Sequence, residues 1–337
     1  MTIPSRNIQA LNLRFPQEFC YFGKNPMIIS ASRRTDIPAF YTPWFMNRVK
    51  AGFLSTRNPF NANQISRISL RPEDVEAIVF WTRNAEKIIE HLPELDDRGF
   101  KYYFQYTITG YPRSLEKSVP NPLKAIETFK LLSERVGSGR VIWRYDPILA
   151  SNLVDINEHK RLFSKIASLL QGHTKRVVVS FADFYKKTER NLKTIEGLQY
   201  SDILQDGIHA IELAKEFADI ARQNGMEIQS CAEAIELSAA GIEHGKCIDD
   251  ELLKSEFGLL LNGSKDKGQR EECGCIKSVD IGQYNTCAHG CAYCYATFNQ
   301  TVVAKNKKLH DPDSPFLVGS GDDYLQTPPE IEQRSLF

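Results

Sequence analysis

The sequence predicts an α/β fold: a parallel sheet with helices packed outside it, curling into a partial (β/α) barrel. Three observations predict it. Short runs rich in β-branched and aromatic residues recur along the chain, and amphipathic stretches separate them. Several of the runs are apolar throughout rather than alternating, as strands buried on both faces are. Strand followed by helix, repeated, implies parallel pairing. Right-handed crossovers close such units into a barrel or part of one.

The strand runs are MIISAS (27–32), AIVFWT (77–82), YYFQYTIT (102–109), RVIWRYDPI (140–148), RVVVSFADF (176–184) and MEIQSCAE (226–233). Helices are expected over 42–51, where Trp44, Phe45 and Val49 share a face, and over 84–91. Others are expected over 122–135 (Leu123, Ile126, Phe129, Leu131, Leu132), 157–170 and 207–224 (Ile208, Ile211, Leu213, Phe217). The strand aromatics Phe80, Trp81, Tyr102, Tyr103, Phe104, Tyr106, Trp143 and Tyr145 read as core. Residues 1–26 form an irregular lead-in, 27–310 the barrel, and 311–337 a tail rich in Pro, Gly, Ser and acidic residues.

Folds of this class keep their sites at the carboxyl ends of the strands. Polar residues gather there: Arg33, Arg34, Thr35 and Asp36 after the first run, then Thr82, Arg83 and Asn84. Thr107 and Thr109, Arg144 and Asp146, Ser180 and Asp183, and Cys231 and Glu233 end the later runs. Any one of these can merely cap a helix or satisfy a loop. As a set they line a site.

The 337 residues are 42% hydrophobic and 25% charged, ordinary for a globular protein. The 42 basic residues balance the 42 acidic ones. That balance speaks against non-specific nucleic-acid binding and leaves room only for a local basic groove. No run approaches the roughly 18 apolar residues of a membrane span. The N-terminus shows no apolar h-region with a cleavage site. A cytoplasmic protein without membrane segments is expected.

The chain has eight cysteines, five of them within 273–294. In a reducing compartment, clustered cysteines serve metals or catalysis more often than disulfides. Cys287, Cys291 and Cys294 have the spacing C-x3-C-x2-C. Three thiolates on one short loop are soft donors that suit iron–sulfur clusters, zinc or copper(I). On a four-iron cluster they leave one iron open, the mark of a catalytic rather than a structural site. A zinc knuckle would more often show C-x2-C twice. His289, inside the loop, reads as a surface residue because three cysteines already satisfy a cluster.

Cys231, Cys247, Cys273 and Cys275 remain as a possible second site, for an auxiliary iron–sulfur cluster or a structural zinc. The alternative is that Cys231 and Cys247 are small buried hydrophobes. Cys20 reads as structural. The chain has no phosphate-binding glycine loop, no H-E-x-x-H and no G-x-S-x-G.

With Tyr293 just before its third cysteine, the motif resembles the signature of the radical S-adenosylmethionine (SAM) superfamily. The resemblance implies a [4Fe-4S] cluster on Cys287, Cys291 and Cys294. SAM would chelate the open iron, and its reductive cleavage would give a 5′-deoxyadenosyl radical. In that superfamily the cysteine loop follows the first barrel strand, whereas here it lies near the chain end. The implied fold is therefore a permuted, partial TIM-like barrel whose cluster-bearing strand and helix come last, with the cluster segment at 273–300. CAYCYA, SRRTDIP, VFWTRN, FQYTITGY and WRYDPI, in that circular order, resemble successive segments of spore photoproduct lyase and its relatives. SRRTDIP, WRYDP and DIGQYNTCAHGCAYCYA together resemble, over nearly the whole chain, a bacterial family catalogued as domain of unknown function 1848.

The superfamily resemblance implies that Tyr293 and Tyr295 contact SAM. Strand position alone then puts Asp36 or Thr35 near the SAM amino group, Arg83 near its carboxylate and Thr107 or Thr109 near its ribose, with Arg144 also in the cofactor site. A flavodoxin or ferredoxin would donate the electron. The substrate stays open among a small molecule, a nucleoside and a peptide. The lyase likeness raises DNA and the neutral charge lowers it. Two other readings stand beside this one: a non-catalytic iron–sulfur protein for redox sensing or electron transfer, and a zinc-stabilised barrel.

Overall fold

The computed structural model describes residues 27–319 except 60, 206 and 262. Cys20, the 1–26 lead-in and the tail beyond 319 lie outside the described residues. Strand β1 (Met27–Ala31) leads into α1 (Ile37–Phe40) and α2 (Thr42–Ala51). An antiparallel hairpin follows, β2 (Phe53–Asn58) with β3 (Asn61–Ser69), and then β4 (Val75–Thr82). Two short helices, α3 (Glu86–Ile89) and α4 (Leu92–Asp97), precede β5 (Tyr102–Thr107). Next come α5 (Pro122–Val136), β6 (Val141–Ile148), α6 (Ile156–Leu170) and β7 (Arg176–Phe181). Helices α7 (Lys186–Leu192) and α8 (Gly207–Gln223) lead to β8 (Glu227–Ser230) and β9 (Glu243–His244). The chain closes with α9 (Asp250–Phe257), β10 (Val279–Asp280), the cysteine loop and α10 (Gln300–Lys308).

All strands but the hairpin join one parallel sheet in the order β10-β1-β4-β5-β6-β7-β8-β9. The six apolar runs are its centre. The last strand in sequence, β10, is the neighbour of the first, with Ile29 opposite Val279 and Ser30 opposite Asp280. The strand that feeds the cysteine loop thus lies beside the first strand, at the edge of the sheet. Among the described residues the sheet is open: β10 and β9 are its two edges, each two residues long, and no pairing closes it into a barrel.

Period-two alternation divides the sheet into two faces. Ile29, Ile78, Phe80, Phe104, Trp143 and Val179 face the helices in the larger core. There Phe163 of α6 and Phe217 of α8 stack at 4.0 Å, a contact worth about 1 kcal/mol beyond its buried area. Ile28, Ala77, Val79, Tyr103, Ile142 and Val178 face the other way, against Cys247, Ile248, Leu252, Leu253 and Ile276. Further along the strands this second face turns polar, with Ser30, Gln105, Arg144 and Ser180. The apolar half carries packing and the polar half opens toward the strand ends.

The helix faces differ in detail from the sequence reading. Ile208 is 71% exposed, and α8 instead buries Ala210, Leu213, Ala214 and Phe217. Leu123 and Leu131 of α5 are also exposed, outside the stripe of Ala125, Ile126, Phe129 and Leu132. Residues 311–319 pack back on the fold. Trp44 Nε1 donates to Ser314 O at 2.9 Å, and Ser55 N to Pro315 O at 2.8 Å. No helix among the described residues is long and apolar enough to cross a membrane.

Candidate functional site

The cysteine loop leaves β10 at the carboxyl end of the sheet and is fastened there by residues far away in sequence. Asp280 accepts hydrogen bonds from Ser30 Oγ (3.0 Å), Ser32 Oγ (2.8 Å) and Arg33 N (2.8 Å). Thr35 Oγ1 lies 2.6 Å from Thr286 Oγ1 and accepts from Gln283 N at 2.9 Å. Tyr41 OH donates to Thr286 O at 2.8 Å. Tyr295 OH donates to Arg33 O at 2.7 Å, and the residue is 49% exposed.

Asp36 gathers four partners. Its Oδ1 accepts from Ala39 N (2.9 Å), which caps α1, and from Thr82 Oγ1 (2.8 Å). Its Oδ2 accepts from Arg83 N (2.7 Å) and meets His289 Nε2 at 2.7 Å. His289 is only 3% exposed, so it is not the surface residue that the sequence suggested. The loop turns this ring inward because Asp36 and the Phe40 ring, 4.7 Å away, receive it. Its Nδ1 is buried with no partner among the described residues.

On the other side of the loop, residues 109–118 form a wall. Glu116 is 3% exposed and pairs with Arg83 Nη1 at 2.7 Å. Its Oε1 also accepts from Thr109 Oγ1 at 2.5 Å and, through a short bond, from Tyr293 OH. Arg83 Nη2 donates to Tyr293 OH at 2.6 Å. Burial alone would lower the Arg83 pKa, but Glu116, Tyr293 and Cys291 outweigh it and hold the guanidinium charged. Backbone bonds join wall to loop: Ala292 N to Leu115 O (2.9 Å) and Ser118 N to His289 O (2.8 Å). Gly290 has φ +68°, and a Cβ there would meet Lys117 Cβ at 3.3 Å.

Cys287, Cys291 and Cys294 are free, half-buried thiols on this pinned loop. Burial pushes the Cys291 thiol up to about 12, and burial with Asp36 and the other two cysteines raises Cys287. Losing those protons in an apolar setting requires a compensating cation such as a metal. The donor set, three soft sulfurs with no carboxylate among them, fits an iron–sulfur cluster with one open iron. As the side chains stand, no group of three or more His, Cys, Asp or Glu among the described residues is closed around an ion.

The residues expected at the cofactor divide into two sets. Tyr295 and half-buried Thr107 remain accessible at the strand ends. Thr35, Asp36, Arg83, Thr109 and Tyr293 already have protein partners that hold the loop. Arg144 is buried against Asp146 (Nε to Oδ2, 2.9 Å), Gln105 (3.3 Å) and Cys247 Sγ (2.8 Å). Sequence reasoning missed Glu116 and Asp280. Asp280 had a signal, an acidic residue ending a V-D strand just before the motif; Glu116 had none.

A protein-family model described as "Domain of unknown function (DUF1848)" matches residues 28–296, which contain β1 and the whole cysteine loop. No curated protein matches the chain. One solved structure is similar at 11% identity over 93% of this chain and 89% of that one, with a TM-score of 0.25. It is described as "Inhibition of the pneumococcal virulence factor STRH and molecular insights into N-glycan recognition and hydrolysis". A likeness so slight carries no argument.

Proposed function

The chain belongs to the DUF1848 family, and we propose that it is a radical SAM enzyme built on a permuted, partial (β/α) barrel. The observation that carries this reading is the seat of the C-x3-C-x2-C loop. It follows an edge strand paired with β1 and lies at the carboxyl ends of a parallel sheet, where α/β folds bind their ligands.

Cys287, Cys291 and Cys294 would hold a [4Fe-4S] cluster. When bound, it supplies one electron for the reductive cleavage of SAM to methionine and a 5′-deoxyadenosyl radical. The chain's own residues hold and orient. Asp36, Thr35 and Asp280 anchor the loop to the ends of β1 and β4. Glu116 and Tyr293 keep the Arg83 cation beside Cys291, where it offsets negative charge on a thiolate cluster. Tyr295, itself half-exposed, presents a ring for adenine, and Thr107 a hydroxyl for ribose. Thr35, Asp36, Arg83 and Thr109 are positioning residues in this reading, because their polar atoms are already taken.

The test is anaerobic reconstitution followed by electron paramagnetic resonance of the reduced cluster with and without SAM. A signal that shifts on adding SAM, and is lost in Cys287→Ala, is expected. A cluster whose signal ignores SAM would make this a non-catalytic iron–sulfur protein, for sensing or electron transfer.

A further inference from the structure

The four cysteines outside the loop are drawn together from three separate segments. Cys231 follows β8, Cys247 follows β9, and Cys273 and Cys275 lie just before β10. Cys231 Sγ is 3.1 Å from Cys247 Sγ. Cys247, Cys273 and Cys275 belong to one buried cluster, and Cys231 packs against it. All four are free thiols, and only Cys231 is more than slightly exposed. Cys275 Sγ also accepts Ile248 N at 3.3 Å.

Two cations face these sulfurs. Arg144 Nη1 lies 2.8 Å from Cys247 Sγ, while its other nitrogens hold Asp146. Arg33 faces Cys275, Asp280 and Cys247, and its Nη2 is buried without a hydrogen-bond partner among the described residues. The backbone is shaped for the approach. A Cβ at Gly274 would come within 3.1 Å of Lys246 Cγ and 3.3 Å of Gly245 O, so glycine eases the close approach of the 273–275 and 245–247 segments.

We propose that Cys231, Cys247, Cys273 and Cys275 form a second metal centre that binds a single zinc-type ion through four thiolates. Thiolates are the ligands such ions prefer, and four of them close a structural site. Zinc–sulfur bonds of about 2.3 Å in a tetrahedron set the sulfurs about 3.8 Å apart. The Cys231 and Cys247 sulfurs, already 3.1 Å apart, suit one shared ion, whereas a cubane cluster places each sulfur on its own iron. Four thiolates on a dication carry net negative charge, which Arg33 and Arg144 stand ready to offset. As the side chains stand, no three of them are yet placed around one ion among the described residues. Loading turns Cys231 and Cys273 inward between staggered rotamers. The ion would fasten the largely irregular 263–278 stretch to the ends of β8 and β9, adding binding energy to folding there. The centre does not depend on the SAM reading.

The test is zinc and iron analysis of the full chain with Cys287, Cys291 and Cys294 all replaced by Ala, alongside zinc-edge X-ray absorption of the unsubstituted protein. About one zinc per chain is expected, surrounded by four sulfurs at about 2.3 Å. Cys247→Ser and Cys275→Ser should each lose at least ten-fold in zinc retention against a chelator. Absence of zinc, fewer than three sulfurs around it, iron with sulfide at this site, or a Cys231–Cys247 disulfide would each overturn the proposal. The absorption arm reads the unsubstituted chain, so it decides even where a serine variant fails to fold.

Discussion

His289 and Asp36 stand 253 residues apart in the chain and 2.7 Å apart in the fold. Through this pair the last βα unit is tied to the first. The same carboxylate caps α1 and binds Thr82 and Arg83 at the end of β4. One buried side chain therefore organises three segments around the cysteine loop.

Asp36→Ala should cost on the order of 3 kcal/mol, because it strands several buried donors at once. Urea unfolding measures this. A cost under about 1 kcal/mol would mean that the carboxylate is not the junction described here.

Arg83 and Glu116 form a buried pair at 2.7 Å. Glu116→Leu leaves the guanidinium uncompensated and should cost about 3–5 kcal/mol. Arg83→Met should cost a similar amount, while the double variant recovers much of the loss. A double-mutant cycle with additive costs would contradict the pairing.

Gly290 has φ +68° and little room beside Lys117. Gly290→Ala should lose about 1–2 kcal/mol of stability. It should also weaken iron retention more than Gly172→Ala, a positive-φ control with open space around it. Equal iron retention in the two variants would separate the loop's backbone conformation from metal binding.

His159 is buried between Tyr145 OH (2.9 Å) and Leu149 O (3.1 Å). Burial lowers its pKa from 6.5 to about 4. The unfolded chain binds a proton at His159 between those values and the folded one does not. The stabilisation is therefore complete above pH 6.5 and is lost as pH falls toward 4, by up to about 3 kcal/mol. Denaturant midpoints across that range should fall more steeply in the unsubstituted protein than in His159→Gln. Parallel curves would contradict this.

The central sheet was legible because each main strand is a continuous apolar or aromatic run, and burial on both faces leaves that mark. The β2–β3 hairpin left none: FLSTRN and NANQISRIS are mostly polar, and of their described residues only Leu54 and Ile68 lie in the main core. β9 and β10 are too short for any period to show. The cysteine trio stood out in the sequence by its spacing, and the fold puts it on one loop at the strand ends. His289 and Glu116 did not stand out, because a buried polar residue is identified by its partner, and theirs come from other segments of the chain. Asp36 and Arg83 were found as strand-end residues, but their partners became visible only in the fold.

The most direct measurement is the nucleoside formed when the anaerobically reconstituted protein meets SAM and dithionite. The account predicts 5′-deoxyadenosine from the unsubstituted chain and none above background from Cys287→Ala, Cys291→Ala or Cys294→Ala. Cluster-loaded protein that leaves SAM intact would contradict it.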